Sequence, residues 1–125
     1  MESNGVTTAR AFIAAFNAQD HSALAATLNY PHKRLANGRF WQVDSAGEFV
    51  ANSAKNESRL KDEGWDHTTI RSVQVVHRGE DKEHIALTID RRDADGHVYN
   101  SFDTFWIATL QDGHWGIQFR SSFLR

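Results

Sequence analysis

Among the ionisable residues of this sequence, four are candidates for transferring a proton or binding a negative charge at a common site: His32, Asp90, Asp103 and Arg120. A carboxylate can act as a general base, and an arginine can orient that base or bind an anionic oxygen of a substrate. A histidine exchanges a proton near neutral pH, and the single proline of the chain, Pro31, restricts the backbone just before His32. These residue types favour acid/base chemistry in which Asp103 and His32 handle protons and Arg120 stabilises charge.

The same residues also have a structural interpretation. Asp103 and Arg120 can form a charge-assisted ion pair in which each neutralises the other. His32 can hydrogen-bond to neighbouring backbone and hold the turn after Pro31, which we expect to end the second helix. Arg34 lies two residues beyond His32 and shares its side of an extended segment. It either joins His32 and Arg120 in binding a carboxylate or enolate oxygen, or it is surface charge.

Turn residues in the second half of the chain set the expected register of its last three strands. Asp-Gly pairs stand at residues 95–96 and 112–113, between runs in which apolar and polar residues alternate, and this pattern is typical of tight hairpins. With two-residue turns, Asp103 pairs with Thr88 on one side and with Ser122 on the other, and paired neighbours share a face. The mostly polar face then carries Thr88, Asp90, Ser101, Asp103, Phe105, Ile107, Gln118, Arg120 and Ser122. The apolar face carries Ile85, Leu87, Ile89, Phe102, Trp106, Ile117, Phe119 and Phe123.

The elements that position these residues divide the chain into a helical first half and a stranded second half, which is an α+β pattern. Helices are predicted at Val6–Asn17, at His21–Leu28 behind the N-cap Asp20, and from a capping box at Ser45 to about Glu63. A short strand pair includes "RFWQV" after the turn at Gly38. The runs "TTIRSVQVV", "EHIALTIDR", "YNSFDTFWIATL" and "WGIQFRSSF" form a four-strand antiparallel meander.

This order of elements resembles the nuclear transport factor 2-like superfamily, which includes ketosteroid isomerase, SnoaL-type polyketide cyclases and limonene epoxide hydrolase. The similarity covers nearly the whole chain. Its clearest segments are "FIAAFNAQDHSALAATL", similar to the opening helix pair, and "DGHWGIQFRSSF", similar to the last hairpin. "YPHKRLANG" together with "WGIQFRSS" resembles small bacterial SnoaL-like members without assigned activity. The resemblance implies a cone-shaped fold with three helices on a curved, mainly antiparallel sheet.

The resemblance also implies where the site lies. Aligned with ketosteroid isomerase, the polar face with Asp103 and Arg120 lines the pocket, whereas amphipathic reasoning alone would place the helices on the apolar face. The implied catalytic residues are His32, Asp103 and Arg120. The implied ligand-binding residues are Phe12, Phe16, Arg34, Trp41, Asp90, Ser101, Phe105, Gln118 and Ser122. A homodimer would cover the sheet face that carries Phe102, Trp106, Ile117 and Phe119.

Composition narrows the class of protein. A chain of 125 residues is expected to form one domain, residues 1–125. It has no cysteine, and its 14 basic and 16 acidic residues are scattered, so we expect neither a thiolate site nor a nucleic-acid partner. We recognise no signal peptide, membrane-spanning run, metal motif or phosphate loop, so a cytoplasmic protein without membrane contact, metal or cofactor is expected.

The sequence therefore predicts a protein that binds a small organic ligand, hydrophobic with one polar or anionic group. If it is an enzyme, cofactor-free isomerisation, cyclisation, hydration or hydrolysis fits these residues best. The alternative is a non-catalytic ligand-binding or dimerisation domain in which Asp103 and Arg120 form a structural ion pair.

Overall fold

A computed structural model describes residues 2–124, which form three helices and six strands. In chain order these are α1 (Asn4–Ala18), α2 (His21–Ala26), β1 (Leu28–Ala36), β2 (Arg39–Val43), α3 (Ala46–Asp62), β3 (His67–Arg78), β4 (Lys82–Arg92), β5 (Val98–Gln111) and β6 (His114–Ser122). The predicted α+β class and its three helices are confirmed. Within these residues, no helix is both long and apolar enough to cross a bilayer.

Helix starts follow the capping residues of the sequence. The Asp20 side chain accepts a hydrogen bond from the backbone N–H of Ala23, and the Ser45 side chain accepts one from Glu48. In a complete capping box the Glu48 carboxylate would accept a hydrogen bond from the backbone N–H of Ser45. Here it accepts one from the backbone N–H of the preceding residue, Asp44. These caps satisfy backbone donors that the first helical turn leaves unpaired.

Pro31 does not end the second helix, which corrects the sequence prediction. Helix α2 stops at Ala26, with Thr27 as its C-cap, so Pro31 lies within β1. The Tyr30–Pro31 peptide bond is cis. The proline lies where the pairing between β1 and β6 changes register, immediately before His32.

All six strands join one sheet in the order β2-β1-β6-β5-β4-β3. The strand pair and the meander form one sheet, because β1 runs parallel to β6 and pairs Arg34 with Arg120. The other neighbours are antiparallel. This junction places the arginine of the first half beside the arginine of the last strand.

The predicted register is correct between β4 and β5 but wrong between β5 and β6. Asp90 pairs with Ser101 and Thr88 with Asp103, as predicted. Between β5 and β6 the pairing starts as the Asp-Gly turn predicts, then shifts between Ala108 and Ile107. Beyond the shift, Arg120 faces Trp106 instead of Phe105. A one-residue shift moves every later side chain to the opposite face of the sheet.

The helices pack on the apolar face, so the prediction that they cover the polar face is wrong. The ring of Phe12 in α1 meets Trp106 at 4.8 Å between centroids. Phe102, Trp106 and Ile117 are buried in the core beneath the helices. They cannot form the predicted dimer surface, and Phe119, which pairs with Ile107, lies on the opposite face. Homodimerisation itself stays a prediction.

Candidate functional site

A cavity of about 640 Å³ lies between the helices and the β1–β2 end of the sheet. Its apolar wall comes from α1, α2 and α3, and its floor comes from inward-facing side chains of β1 and β6. The lining residues include Phe12, Phe16, Leu24, His32, Arg34, Trp41, Val43, Phe49, Asn52, Ser53, Asn56, Arg59 and Arg120. Among the residues that the structure describes, no aspartate or glutamate lines it.

His32 is buried and hydrogen-bonded at both ring nitrogens. Its Nδ1 lies 2.9 Å from the carbonyl oxygen of Ile117, and its Nε2 lies 3.1 Å from Nε of Arg120. A carbonyl can only accept and a guanidinium can only donate, so the ring carries its hydrogen on Nδ1 and accepts at Nε2. The contact with Ile117 agrees with the structural interpretation of His32.

The environment of His32 keeps the ring neutral. Burial, followed by the positive charges of Arg120 and Arg34, lowers its pKa to about 3, although the hydrogen bond to Ile117 opposes the shift. The expectation that His32 exchanges a proton near neutral pH is therefore wrong. The ring instead holds the Arg120 side chain in position within the cavity.

Arg120 has no acidic partner within the described part of the chain. Its guanidinium hydrogen-bonds to His32 and lies over the Phe12 ring, 4.9 Å from the centroid. Burial lowers its pKa well below the ordinary arginine value, and the positive charges of Arg34 and Arg91 add to the effect. The predicted ion pair with Asp103 does not form.

Asp103 lies on the outer face of the sheet, away from the cavity. It is exposed, and its carboxylate accepts a hydrogen bond of 2.9 Å from the hydroxyl of Thr88. The β5–β6 register shift separates it from Arg120, because the shift rotates Arg120 to the inner face and leaves Asp103 outside. The two residues therefore cannot act on one substrate in the cavity.

Arg34 is the second cationic group on the cavity floor. Its Nε is buried and has no hydrogen-bond partner among residues 2–124. Burial lowers its pKa to about 10, with further contributions from the positive charges of Arg91 and Arg59. A buried guanidinium nitrogen without an acceptor is unfavourable, since its lost hydration is not replaced.

A smaller chamber of about 60 Å³ adjoins the main cavity. Its cationic residues come from four elements: Arg34 from β1, Arg59 from α3, Arg91 from β4 and Arg120 from β6. Three hydroxyl side chains, Thr68, Thr104 and Ser122, also line it. Arg34, Arg59 and Arg120 line both spaces, so the chamber and the cavity share a cationic boundary.

Arg91 has an acidic partner, Glu63, among the described residues. Nη1 of Arg91 lies 2.8 Å from the Glu63 carboxylate, which also accepts a hydrogen bond of 2.6 Å from the Tyr99 hydroxyl. Arg91 further lies over the Phe102 ring, at 5.7 Å. Counting the described residues alone, Glu63 supplies one negative charge to a group of four guanidinium ions, so they leave the chamber with an excess of positive charge.

Sequence reasoning missed the part of the site that α3 supplies. Asn52, Asn56 and Arg59 recur at helical spacing one turn apart, with Phe49 one turn before them, and all four line the cavity. The sequence carried a signal, because these three polar residues follow the apolar Phe49 at helical spacing and therefore share its face of the helix. Arg91 was missed because it lies on β4, far in sequence from the other arginines of the site.

The predicted ligand-binding residues fall into two groups. The structure places Phe12, Phe16, Arg34 and Trp41 in the main cavity, and Ser122 in the small chamber. The remainder (Asp90, Ser101, Phe105 and Gln118) line neither space.

Each residue of the second group has a structural contact on or near the outer face. Asp90 accepts hydrogen bonds from Ser101 and from Nε of Arg71. Burial raises the pKa of the Asp90 carboxyl, but these two hydrogen bonds, together with the positive charges of Arg71 and Arg92, outweigh it and hold that pKa below its ordinary value. Phe105 lies beside the His84 ring, and Gln118, at the register shift, donates to the carbonyl of Pro31. They were assigned to the pocket only because the predicted faces were inverted.

One further group of potential ligand atoms lies in the β4–β5 loop. Side-chain atoms of Asp93, Asp95 and His97 lie within 4.8 Å of one another. The Asp93 carboxylate already accepts hydrogen bonds from the backbone N–H groups of Asp95 and His97. Such contacts are common in turns, so local hydrogen bonding accounts for the cluster.

Comparison with known sequences and structures identifies similar proteins. The family described as NTF2-like protein (DUF6841) matches residues 7–119. No curated protein matches the chain.

Three solved structures illustrate the similarity of fold. An NTF-2 like protein of unknown function from Shewanella oneidensis MR-1 is 17% identical, with a TM-score of 0.68 and coverage of 94% of both chains. A ketosteroid isomerase-like protein from Erwinia carotovora atroseptica SCRI1043 is 17% identical, with a TM-score of 0.67, covering 96% of this chain and 92% of the other. Aln2 from a Streptomyces species is 15% identical, with a TM-score of 0.74, covering 99% of this chain and 94% of the other. At such identities the likeness concerns the fold.

Proposed function

This chain belongs to the NTF2-like protein family DUF6841, and from that premise we propose that its cavity binds a small organic anion with an apolar or aromatic body. One observation carries the proposal. Arg34 and Arg120 face the cavity together without an acidic partner in residues 2–124, and the buried Nε of Arg34 has no acceptor. Fold membership alone implies no ligand, so the proposal rests on these side chains.

The electrostatics of the cavity floor favour an anion. Arg34 and Arg120 are neighbours on paired strands, and the pKa of each is lowered by burial and by the positive charges around it. A bound carboxylate or phosphate would supply the missing acceptor and offset the repulsion. Arginine suits this role because its planar fork donates two parallel hydrogen bonds to such a group.

The rest of the cavity suits an apolar body. Phe12, Phe16, Leu24 and Phe49 form a wall opposite the charged floor. Trp41 adds an aromatic ring that is 42% exposed near the edge of the cavity. A few polar groups in a mainly apolar pocket are typical of small-molecule sites, where the polar groups fix the orientation of the ligand.

Binding is favoured over the acid/base enzyme that the sequence predicted. Asp103, its general base, lies outside the cavity, and His32 is held neutral with both nitrogens occupied. The arginines remain able to stabilise negative charge, but a proton-transfer group with a pKa near neutral is not among the described lining residues. The structural resemblance to a ketosteroid isomerase-like protein therefore supports a ligand-binding pocket and not an isomerase reaction.

Isothermal titration calorimetry with three ligands of similar size tests the proposal. Benzoate and phenyl phosphate carry an anionic group on the same ring, and benzamide is a neutral control. We expect at least one anion to bind more tightly than benzamide. Replacing Arg34 by Met should weaken anion binding by roughly tenfold to a hundredfold, since a hydrogen bond to a charged group contributes about 1.5–3 kcal/mol.

The matched control for this substitution is Arg10→Met. Arg10 lies on the exposed side of α1, where it pairs with Glu2, so its replacement removes the same charge away from the cavity. Anion affinity should stay within about twofold of the unmodified protein, because exposed charges act weakly over distance. The proposal fails if benzamide binds as tightly as both anions, or if Arg34→Met and Arg10→Met behave alike.

A further inference from the structure

The small chamber has a composition that the main cavity lacks. Four arginines and three hydroxyl groups line about 60 Å³, and the main cavity has three of these arginines but neither Arg91 nor these hydroxyls. Apolar side chains complete the chamber: Phe12, Ile13, Phe16, Ile89, Phe102 and Trp106. The two spaces share Arg34, Arg59 and Arg120, so a ligand can occupy both at once. We propose that the chamber holds the phosphate group of a phosphomonoester whose organic body lies in the main cavity. This inference rests on the proposed function and specifies the chemistry of its anion.

The size of the chamber fits a tetrahedral oxyanion. A water molecule requires about 10–15 Å³ measured with the same kind of probe, so the chamber has room for several oxygen atoms. It is too small for an aromatic ring, which fits the main cavity of about 640 Å³. The division of volumes therefore orients the ligand with its head in the chamber and its body toward Trp41 and Phe49.

The positive charge of the chamber favours a ligand group with two negative charges over a group with one. Arg34, Arg59, Arg91 and Arg120 contribute four positive charges, and Glu63 neutralises only Arg91. A carboxylate would leave most of the remaining charge uncompensated. A phosphomonoester carries about −1.5 to −2 near pH 7 and presents three acceptor oxygens to the guanidinium groups.

One hydroxyl group of the chamber, that of Thr68, can add a donor to the arginines. Thr68 Oγ1 accepts a hydrogen bond of 2.8 Å from the indole N–H of Trp65, so its own hydrogen is free to donate elsewhere. The Thr104 hydroxyl is already engaged, because Oγ1 accepts from the indole N–H of Trp106, donates to the carbonyl of Ser121 at 3.1 Å and lies 2.8 Å from Ser122 Oγ. A phosphate presents three acceptor oxygens, so it can accept from the Thr68 hydroxyl as well as from the guanidinium groups.

Binding affinities of ligands with the same ring test the inference. At pH 7.5, calorimetry should show phenyl phosphate binding roughly tenfold more tightly than benzoate, and more tightly than phenyl sulfate, which is tetrahedral but carries one charge. Equal or tighter binding of benzoate overturns the phosphate assignment but leaves the proposed function intact. Equal binding of phenyl sulfate also overturns it, because the second charge would then have no effect. If none of the three anions binds better than benzamide, the proposed function fails as well.

The protonation of the bound phosphate supplies a second, spectroscopic test. The charged groups around the chamber are Arg34, Arg59, Arg91 and Arg120, with Glu63 behind Arg91; His32, which contacts Arg120, has a pKa of about 3 and stays neutral above pH 5. These positive charges should favour the dianion. A ³¹P NMR titration should therefore give bound phenyl phosphate a second pKa below that of the free ligand, which is near 6. An unchanged or raised second pKa overturns the inference.

The variant Arg59→Met tests whether the preference for phosphate depends on the charge of the chamber. Arg59 is exposed on α3, with one hydrogen bond to Asn56, so its loss should leave the fold intact. We expect the preference for phenyl phosphate over benzoate to fall several-fold, because the dianion loses more attraction than the monoanion when one charge is removed. Arg10→Met, which removes an exposed charge elsewhere, should keep the preference unchanged. A preference that survives Arg59→Met in full contradicts this placement of the phosphate.

Discussion

At the scale of single residues, His32 shows how burial changes the role of a side chain. The ring lies between the carbonyl of Ile117 and the guanidinium of Arg120, so it acts as a donor to one and an acceptor to the other. A charged imidazolium would present a hydrogen to Arg120, which has nothing to accept it. His32 is therefore a positioning residue that orients Arg120 toward the cavity.

The lowered pKa of His32 predicts how stability depends on pH. The pKa is about 3 in the folded protein and about 6.5 in the unfolded chain, so the unfolded chain binds the additional proton first. The contribution of neutral His32 to the free energy of unfolding is complete above pH 6.5 and is lost as the pH falls from 6.5 toward 3. Over that window the free energy of unfolding should fall by about 1.4 kcal/mol per pH unit through this residue. Urea unfolding at several pH values measures the slope.

Comparison with His32→Asn isolates the contribution of the histidine. The asparagine amide places its atoms near the Nδ1 side of the ring and has no ionisable group, so the slope between pH 6.5 and 4.5 should become shallower than in the unmodified protein. Asp90, whose pKa is lowered, also stabilises the fold less as the pH falls, but its contribution is lost only at more acidic pH, below the ordinary carboxyl value. Identical slopes for the two proteins would show that His32 is not held neutral by the fold.

At the scale of secondary-structure elements, β6 decides which residues form the site. The register shift near Gln118 moves Arg120 to the inner face, beside Trp106, and its parallel pairing with β1 places it beside Arg34. Tight packing at Gly116 supports this pairing. A Cβ atom there would lie 2.6 Å from the carbonyl carbon of Leu28 and 2.7 Å from the backbone nitrogen of Asn29. Backbone atoms cannot move aside as a flexible side chain can.

Gly116→Ala should therefore destabilise the protein by separating β6 from the start of β1. We expect a decrease of about 1–3 kcal/mol in the free energy of unfolding, the usual range for overpacking. Gly47→Ala is the control, because a Cβ at that position in α3 meets nothing within 4 Å. It should leave stability unchanged or raise it by up to about 1 kcal/mol, since alanine favours helix. Chemical denaturation of both variants measures the difference, and equal stabilities would contradict the close contact.

At the scale of the whole molecule, the cavity combines a packed apolar core with arginines that have no acidic partner among residues 2–124. Such a site lowers the stability of the ligand-free protein, because repulsion and the unsatisfied Nε of Arg34 oppose folding. Proteins commonly retain destabilising groups where a ligand needs them. The same charges that favour an anion should therefore limit the melting temperature of the ligand-free protein.

Arg34→Met should raise that melting temperature while it weakens anion binding. Methionine has a similar length, fills an apolar space and removes one charge from the arginine group. We expect a gain of about 1–2 kcal/mol in stability without ligand, as found when buried charged groups are replaced by apolar residues. Calorimetry of Arg34→Met against Arg10→Met measures it, with little change expected for Arg10→Met. A lower melting temperature for Arg34→Met than for Arg10→Met would show that Arg34 stabilises the fold.

Much of the architecture was determined by local signals in the sequence itself. The caps Asp20 and Ser45 start their helices where predicted, because capping depends on neighbours within one turn. The β4–β5 pairing agrees with prediction over Asp90 and Thr88, since alternation along both strands constrains it. The resemblance to NTF2-like proteins rested on the order of these elements, and it is confirmed.

Only the tertiary structure decided which residues form the candidate site. The register shift in β6 has no local sequence signal, yet it places Arg120 and Asp103 on opposite faces. Arg59 and Arg91 are distant in sequence from Arg34, and they converge with it because β1 pairs with β6 while α3 packs nearby. The element order follows from interactions between near neighbours in sequence. The charge of the chamber depends on contacts between distant segments, which only the folded sheet brings together.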